Sequence, residues 1–216
     1  MLINGPPTNE VCRALDRTLA GECSHTGAVA APFRPNEFAY LALTQKIEHA
    51  IRDRLAFSLH EALAGDPSLL VCREWFRRDL AVVQADKPRL ILEAKAIYTF
   101  DIINEGAEHP FPRLVADDLA KAAEWASDAP ESHPLETLAL VVATHPHSQP
   151  GRQYKQAVKY FGGVSRYASE SLSFDEASER LSQRMGAFRQ VHGVPAFAGT
   201  AFGIDVSIYA WLFAPR

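Results

Sequence analysis

Two apolar, β-prone runs, residues 78–83 and 90–100, flank the polar segment Gln84-Ala85-Asp86-Lys87-Pro88-Arg89. This arrangement constrains the fold more than any other, because it reads as two strands joined by a turn. Within it stand three charges that apolar strands do not need: Asp79 near the start of the first run, and Glu93 and Lys95 inside the second. Side chains alternate across a strand, so Glu93 and Lys95 share a face with Ile91 and Ile97, while Leu92, Ala94 and Ala96 take the other. Charges in such a strand are costly unless they are paired or bound to a metal. Asp79, one strand earlier, can sit beside Glu93 across the hairpin. Two converging carboxylates repel, and a divalent cation relieves that repulsion. Oxygen ligands of this kind suit Mg²⁺, which keeps several waters and takes only one or two protein carboxylates.

The rest of the chain supplies the frame. Residues 1–35 read as an irregular segment with a short helix around residues 10–19. Residues 36–64 read as one long amphipathic helix, opened by Pro35-Asn36 and stopped by Gly65-Asp66-Pro67. Tyr40, Leu41, Ile47, Ile51, Leu55 and Leu63 fall on one side of it. A strand over 69–75 precedes the hairpin. A helix follows over 113–127, with Leu114, Leu119, Ala122 and Trp125 toward the core, and then a buried strand over 135–144. The order α-β-β-β-α-β predicts an α/β fold with helices around a central mixed sheet. Residues 146–216 read as an extension of the same globular domain. It holds a helix over 152–160, a helix from the Ser173/Glu176 capping box to about residue 189, and a β-rich run over 204–213 expected at the sheet edge.

An Asp on one strand, followed across a turn by Glu-x-Lys on the next, resembles the signature of the PD-(D/E)xK nuclease superfamily. Arg78 stands where the signature's proline would be. The resemblance covers residues 36–145, and the superfamily's restriction endonuclease-like core has the same α-β-β-β-α-β order. It implies an Mg²⁺-dependent nuclease, with Mn²⁺ as substitute, that hydrolyses phosphodiester bonds of DNA. Asp79, Glu93 and the Ala94 carbonyl would hold the metal. Lys95 would orient or activate the attacking water and stabilise charge developing at phosphorus. Many members add an acid from the first core helix, and Glu48 and Glu37 both lie on the apolar face here. The Glu48–Asp79–Glu93 spacing is similar to that of archaeal Holliday-junction resolvases, which favours Glu48 as a catalytic and metal-binding residue. Glu37 has another explanation, since an acid in a helix's first turn is favoured by the dipole. Gln156 and Tyr160 resemble the Gln-xxx-Tyr motif of RecB-like nucleases. Lys155 and Lys159, four apart on an expected helix, would then touch phosphates together with Gln156. Nucleases that cut both strands are often dimers, so a homodimer is also an open expectation.

Composition bears on partners and on the alternative. The formal charge of −4 is not the basic footprint of most nucleic-acid binders. The charges are uneven, however: residues 101–136 hold nine acids and two bases, and residues 152–189 hold seven bases and four acids. The acidic balance keeps a second reading open, a binding or assembly protein that has the fold without turnover. No run of 18 uncharged apolar residues suggests a membrane span. The N-terminus lacks the pattern of a signal peptide, so the expected compartment is the cytoplasm. Cys12, Cys23 and Cys72 show no metal or disulfide spacing and read as reduced, small apolar residues. His145 and His147 read as loop histidines after the fourth strand.

Overall fold

The computed structural model describes residues 7–20, 34, 36–103, 111–128, 134–167 and 172–216. Strands β1 (Leu69–Trp75), β2 (Arg78–Gln84) and β3 (Lys87–Tyr98) form an antiparallel meander. β3 pairs in parallel with β4 (Glu136–Pro146), and β4 pairs antiparallel with β6 (Ile204–Pro215). β5 (Phe188–Ala201) lies outside β6, giving one mixed sheet of six strands in the order β1-β2-β3-β4-β6-β5. The protein is thus an α/β fold with a mixed sheet, and the hairpin expected from the sequence is present. Its turn is tighter than expected: Ala85 and Asp86 alone make it, with φ of 49° and 62°. Positive φ at both central residues matches the twist of the flanking strands. Pro88 lies inside β3 opposite Val83, next to a register shift, the kind of irregularity that accommodates a residue without an N–H.

Both faces of the sheet are covered. On one face pack α1 (Pro7–Ala20), α2 (Glu37–Thr44) and α3 (Glu48–Leu63). Their Leu15, Leu43, Ile51 and Leu55 bury against Leu92, Leu140 and Leu212. On the other face lie α4 (Thr99–Ile103), α5 (Phe111–Ala123) and α7 (Phe174–Arg184), where Val115, Leu119 and Leu181 meet Ile97, Val141 and Trp211. Alternate residues of β4 and β6 serve the two cores, so these strands read as continuous apolar runs.

Five expectations are corrected. The helix predicted over 36–64 is two helices, broken where Gln45 is extended (φ −143°, ψ −174°). α2 packs toward β5 while α3 packs on β1, and one straight helix cannot follow both ends of a twisted sheet. Tyr40 is therefore exposed, whereas Ile47, Ile51, Leu55 and Leu63 are buried. The helix predicted over 113–127 is α5 followed by a 3₁₀ turn, Glu124–Asp128, and Leu114 faces out rather than into the core. The segment 152–160 holds only a 3₁₀ turn, Arg152–Tyr154, and α6 (Phe161–Tyr167) begins after it. In that segment only Val158 is buried, too little apolar surface to hold a helix against the core. Finally, β6 is an inner strand and β5 takes the edge. α7 carries the expected capping box between Ser173 and Glu176, but ends at Arg184 so that β5 can start at Phe188.

No helix among the described residues is long and apolar enough to cross a membrane. Cys12 and Cys72 are free thiols, partly buried, and Cys23 lies outside the described residues.

Candidate active site

β2 and β3 stay paired as far as Leu80 opposite Leu92. One step further the Asp79 side chain takes over from the ladder, and its Oδ2 accepts the Ala94 N–H at 2.8 Å. An antiparallel residue turns its N–H and C=O toward the same neighbour, so the Ala94 carbonyl faces the same gap. Asp79 shares its side of β2 with Ala81 and Val83, which pack with Ile91. The hairpin thus sets Asp79 and Glu93 side by side on one face, where cross-strand neighbours come closest. Lys95 follows two residues on, on the same side.

The electrostatics of the pair are unfavourable as it stands. Glu93 is 7% exposed. Burial, and then the charges of Asp79 and Asp118, push its carboxyl up to about 7, with Arg78 offsetting part of the effect. Each charged group has acquired a counter-ion. Arg52 of α3, itself buried, donates to Asp79 Oδ1 at 3.2 Å and also meets Asp53 and Glu74. Arg78 Nη1 lies 3.4 Å from Glu93 Oε1. Lys95 Nζ lies 2.5 Å from Asp118 Oδ2 on α5. Burial pulls the Lys95 ammonium down, but Asp118, aided by Asp79 and Glu93, outweighs it and holds the group above its ordinary value.

Beside Lys95 opens a cavity of about 670 Å³. Its walls include Gln45, Lys46 and Glu48 at the α2–α3 break, Tyr98 at the end of β3, and Tyr160. Glu48 is 6% exposed, yet its Oε2 has no hydrogen-bond partner, and its Oε1 is only loosely paired with Lys46 at 3.9 Å. A buried carboxylate oxygen left without a partner is expensive, and it is a natural seat for a cation or a bound water. Glu37 does something different: its Oε2 accepts the Arg34 N–H at 3.0 Å, tying down the start of α2. The donor chemistry at Asp79, Glu93 and the Ala94 carbonyl is that of a hard divalent cation. Even so, no three His, Cys, Asp or Glu side chains among the described residues converge enough to hold a metal ion by themselves.

The structure does not place the basic segment as expected. Lys155 and Gln156 are exposed in an irregular turn, without the helix that would align Lys155 with Lys159. The Lys159 N–H is tied to the Leu43 carbonyl at 2.7 Å, and its ammonium lies over the Tyr160 ring. Of this segment only Tyr160 reaches the cavity. His145 is not a loop residue. It lies buried in β4, with Nδ1 2.7 Å from Thr99 Oγ1, and burial together with His147 lowers it to about 4. His147 bonds Ser207 at 2.8 Å, away from the carboxylates.

Sequence reasoning missed Asp118, Arg52 and Arg78 as members of this cluster. Arg52 carried a signal, since it lies four residues after Glu48 on the apolar side of its helix. Asp118 carried none, because nothing local distinguishes it from Asp117. Compared with family models, with curated proteins and with solved structures, the chain matches none of them.

Proposed function

We propose that this protein is an Mg²⁺-dependent nuclease of the PD-(D/E)xK type, hydrolysing phosphodiester bonds of DNA. One observation carries the reading. Asp79 and a buried Glu93, its ionisation suppressed, stand side by side where β2 leaves β3, with Lys95 two residues on. The order α3-β1-β2-β3-α5-β4, with α4 inserted, supports it, since it is the order of the restriction endonuclease-like core.

Asp79, Glu93 and the Ala94 carbonyl would hold the cation, and Glu48 would contribute its unpartnered oxygen directly or through water. When bound, Mg²⁺ supplies Lewis acidity toward the phosphodiester. The chain's own groups do the rest. Lys95 leaves Asp118 to face the scissile phosphate, where an ammonium stabilises developing negative charge. Arg52 and Arg78 hold the two carboxylates in place. Beside a bound cation Glu93 would be held ionised, because a positive neighbour favours the charged form.

Supercoiled plasmid with Mg²⁺ or Mn²⁺ tests the reading. Wild type should nick or linearise it, and Lys95→Ala should not. No cleavage of any DNA or RNA form by wild type, together with no metal binding, would contradict the proposal.

A second reading has a specific observation behind it. Asp79, Glu93 and Lys95 each already have a counter-ion, and no three ligands converge among the described residues. That is the state expected of a binding or assembly protein that keeps the fold without turnover. Such a protein would ignore Mn²⁺ in a calorimetric titration.

A further inference from the structure

The hairpin that delivers Asp79 ends in a feature the cleavage reading does not use. β1 and β2 are joined by Phe76 and Arg77, with φ of 45° and 67°, and Glu74 before them has φ 55°. Bulky residues at positive φ are outliers in positions that normally take Gly, Asn or Asp. Strained turn residues persist only where the surroundings enforce them, and they gather at functional sites.

What this turn presents is an aromatic platform. Phe76 is 65% exposed. Its ring centroid lies 4.9 Å from Trp75 and 5.1 Å from Trp125, and the two tryptophan rings are 4.8 Å apart. Trp75 and Trp125 pack with Ile91, so the platform occupies the same face of the sheet as Glu93 and Lys95. The cations beside it are Arg77, exposed and without an ion pair among the described residues, and Arg78, which links the turn to Glu93. Of the acids nearby, Glu74 is turned to Arg52 at 3.4 Å, while Glu124 and Asp128 are exposed in the turn that carries Trp125. Phe76 is three residues before Asp79, so their Cα atoms are at most about 11 Å apart, a distance of one or two nucleotides.

Resting on the nuclease reading, we infer that Phe76, backed by Trp75 and Trp125, is a stacking platform for an unpaired base of the substrate strand next to the scissile phosphate. Arg77 would lie over the strand's backbone. Aromatic faces with flanking cations are how single strands are held without sequence readout, since every base has a π-face. A base inside an intact duplex cannot offer that face. The preferred substrate is therefore single-stranded, or a duplex with an unpaired end or flap.

The test measures binding of a labelled 20-nucleotide single strand and of the corresponding duplex, in Ca²⁺ to limit turnover, with cleavage of the same oligonucleotides in Mn²⁺ measured separately. The variants are Phe76→Ala and Phe76→Tyr, with thermal melting as the check on folding. Wild type should bind the single strand more tightly than the duplex. Phe76→Ala should weaken single-strand binding by roughly 5- to 150-fold, the range for loss of one stacked base, and Phe76→Tyr should restore it. Quenching of tryptophan fluorescence by the single strand should accompany binding. Equal or better binding of the duplex, no binding of either, or no change in Phe76→Ala would overturn the inference. If wild type cuts DNA while Phe76→Ala binds normally, the platform fails and the nuclease reading stands. If the single strand binds through Phe76 and is never cut, the nuclease reading fails and the platform stands.

Discussion

The two halves of β3 differ in who their neighbours are. From Leu90 to Leu92 the strand pairs on both sides, with β2 and with β4, and its side chains are fully buried hydrophobics. From Glu93 to Tyr98 it pairs only with β4, and here stand Glu93, Lys95 and the Ala94 N–H that Asp79 accepts. The first half is a core strand and the second is the wall of a cleft. Charge is tolerated where the ladder stops, because the freed backbone groups and nearby counter-ions solvate it. The same contrast separates stability from chemistry, and substitutions in the two halves should have different consequences.

The largest effect belongs to the paired half. Leu92→Ala removes a fully buried side chain between β2, β4 and α3, and should cost about 2–5 kcal/mol in urea unfolding. Lys95→Ala should leave the urea midpoint close to wild type and lower metal-dependent cleavage by about 10²–10³-fold, the usual loss of one transition-state donor. If instead Lys95→Ala unfolds the protein, the second half is structural and the contrast collapses.

The pH dependence of stability sharpens the contrast further. Glu93 ordinarily titrates near 4.5 and is raised to about 7 in the fold. The folded state therefore holds this proton more tightly than the unfolded one. The stabilisation is complete below about pH 4.5 and is lost as pH rises through 7. In EDTA, wild type should lose thermal stability between pH 5 and pH 8 relative to Glu93→Gln, by on the order of a few degrees. Mg²⁺ should restore more of it at pH 8 than at pH 5. A wild-type curve parallel to Glu93→Gln would mean that Glu93 is not strained by its neighbours. Asp118→Asn should have the smallest effect. Removing the carboxylate that holds Lys95 up should shift the alkaline limb of the cleavage profile to lower pH, with only a few-fold change near neutrality.

Much of this arrangement was legible in the sequence, for physical reasons. Alternation placed Glu93 and Lys95 on one face, and the polar turn placed Asp79 beside them. The Ser173/Glu176 box is a local motif and formed as read. What escaped depends on distant parts of the chain. No Gly or Pro marks the break at Gln45, which follows from fitting two helices to a twisted sheet. β5 was not expected: Gly193, Pro195 and Gly199 interrupt its strand pattern, whereas an edge strand accepts them. β6 looked like an edge strand, yet Ile208, Ala210 and Leu212 serve one core and Tyr209, Trp211 and Phe213 the other, which marks an inner strand. The roles of Arg78 and Asp118 as counter-ions are wholly tertiary, and Arg52 was marked only by its place on the apolar side of its helix. The lysines of 155–159 were aligned by a helix that the segment, with one buried side chain, cannot sustain.

The central proposal is that Asp79 and Glu93 would hold a cation at the end of the β2–β3 ladder. Calorimetric titration of the metal-free protein with Mn²⁺ at pH 8 tests it most directly. The account predicts saturable binding by wild type and loss of binding in Asp79→Asn with the fold intact. No binding by wild type, or unchanged binding by Asp79→Asn, would contradict it.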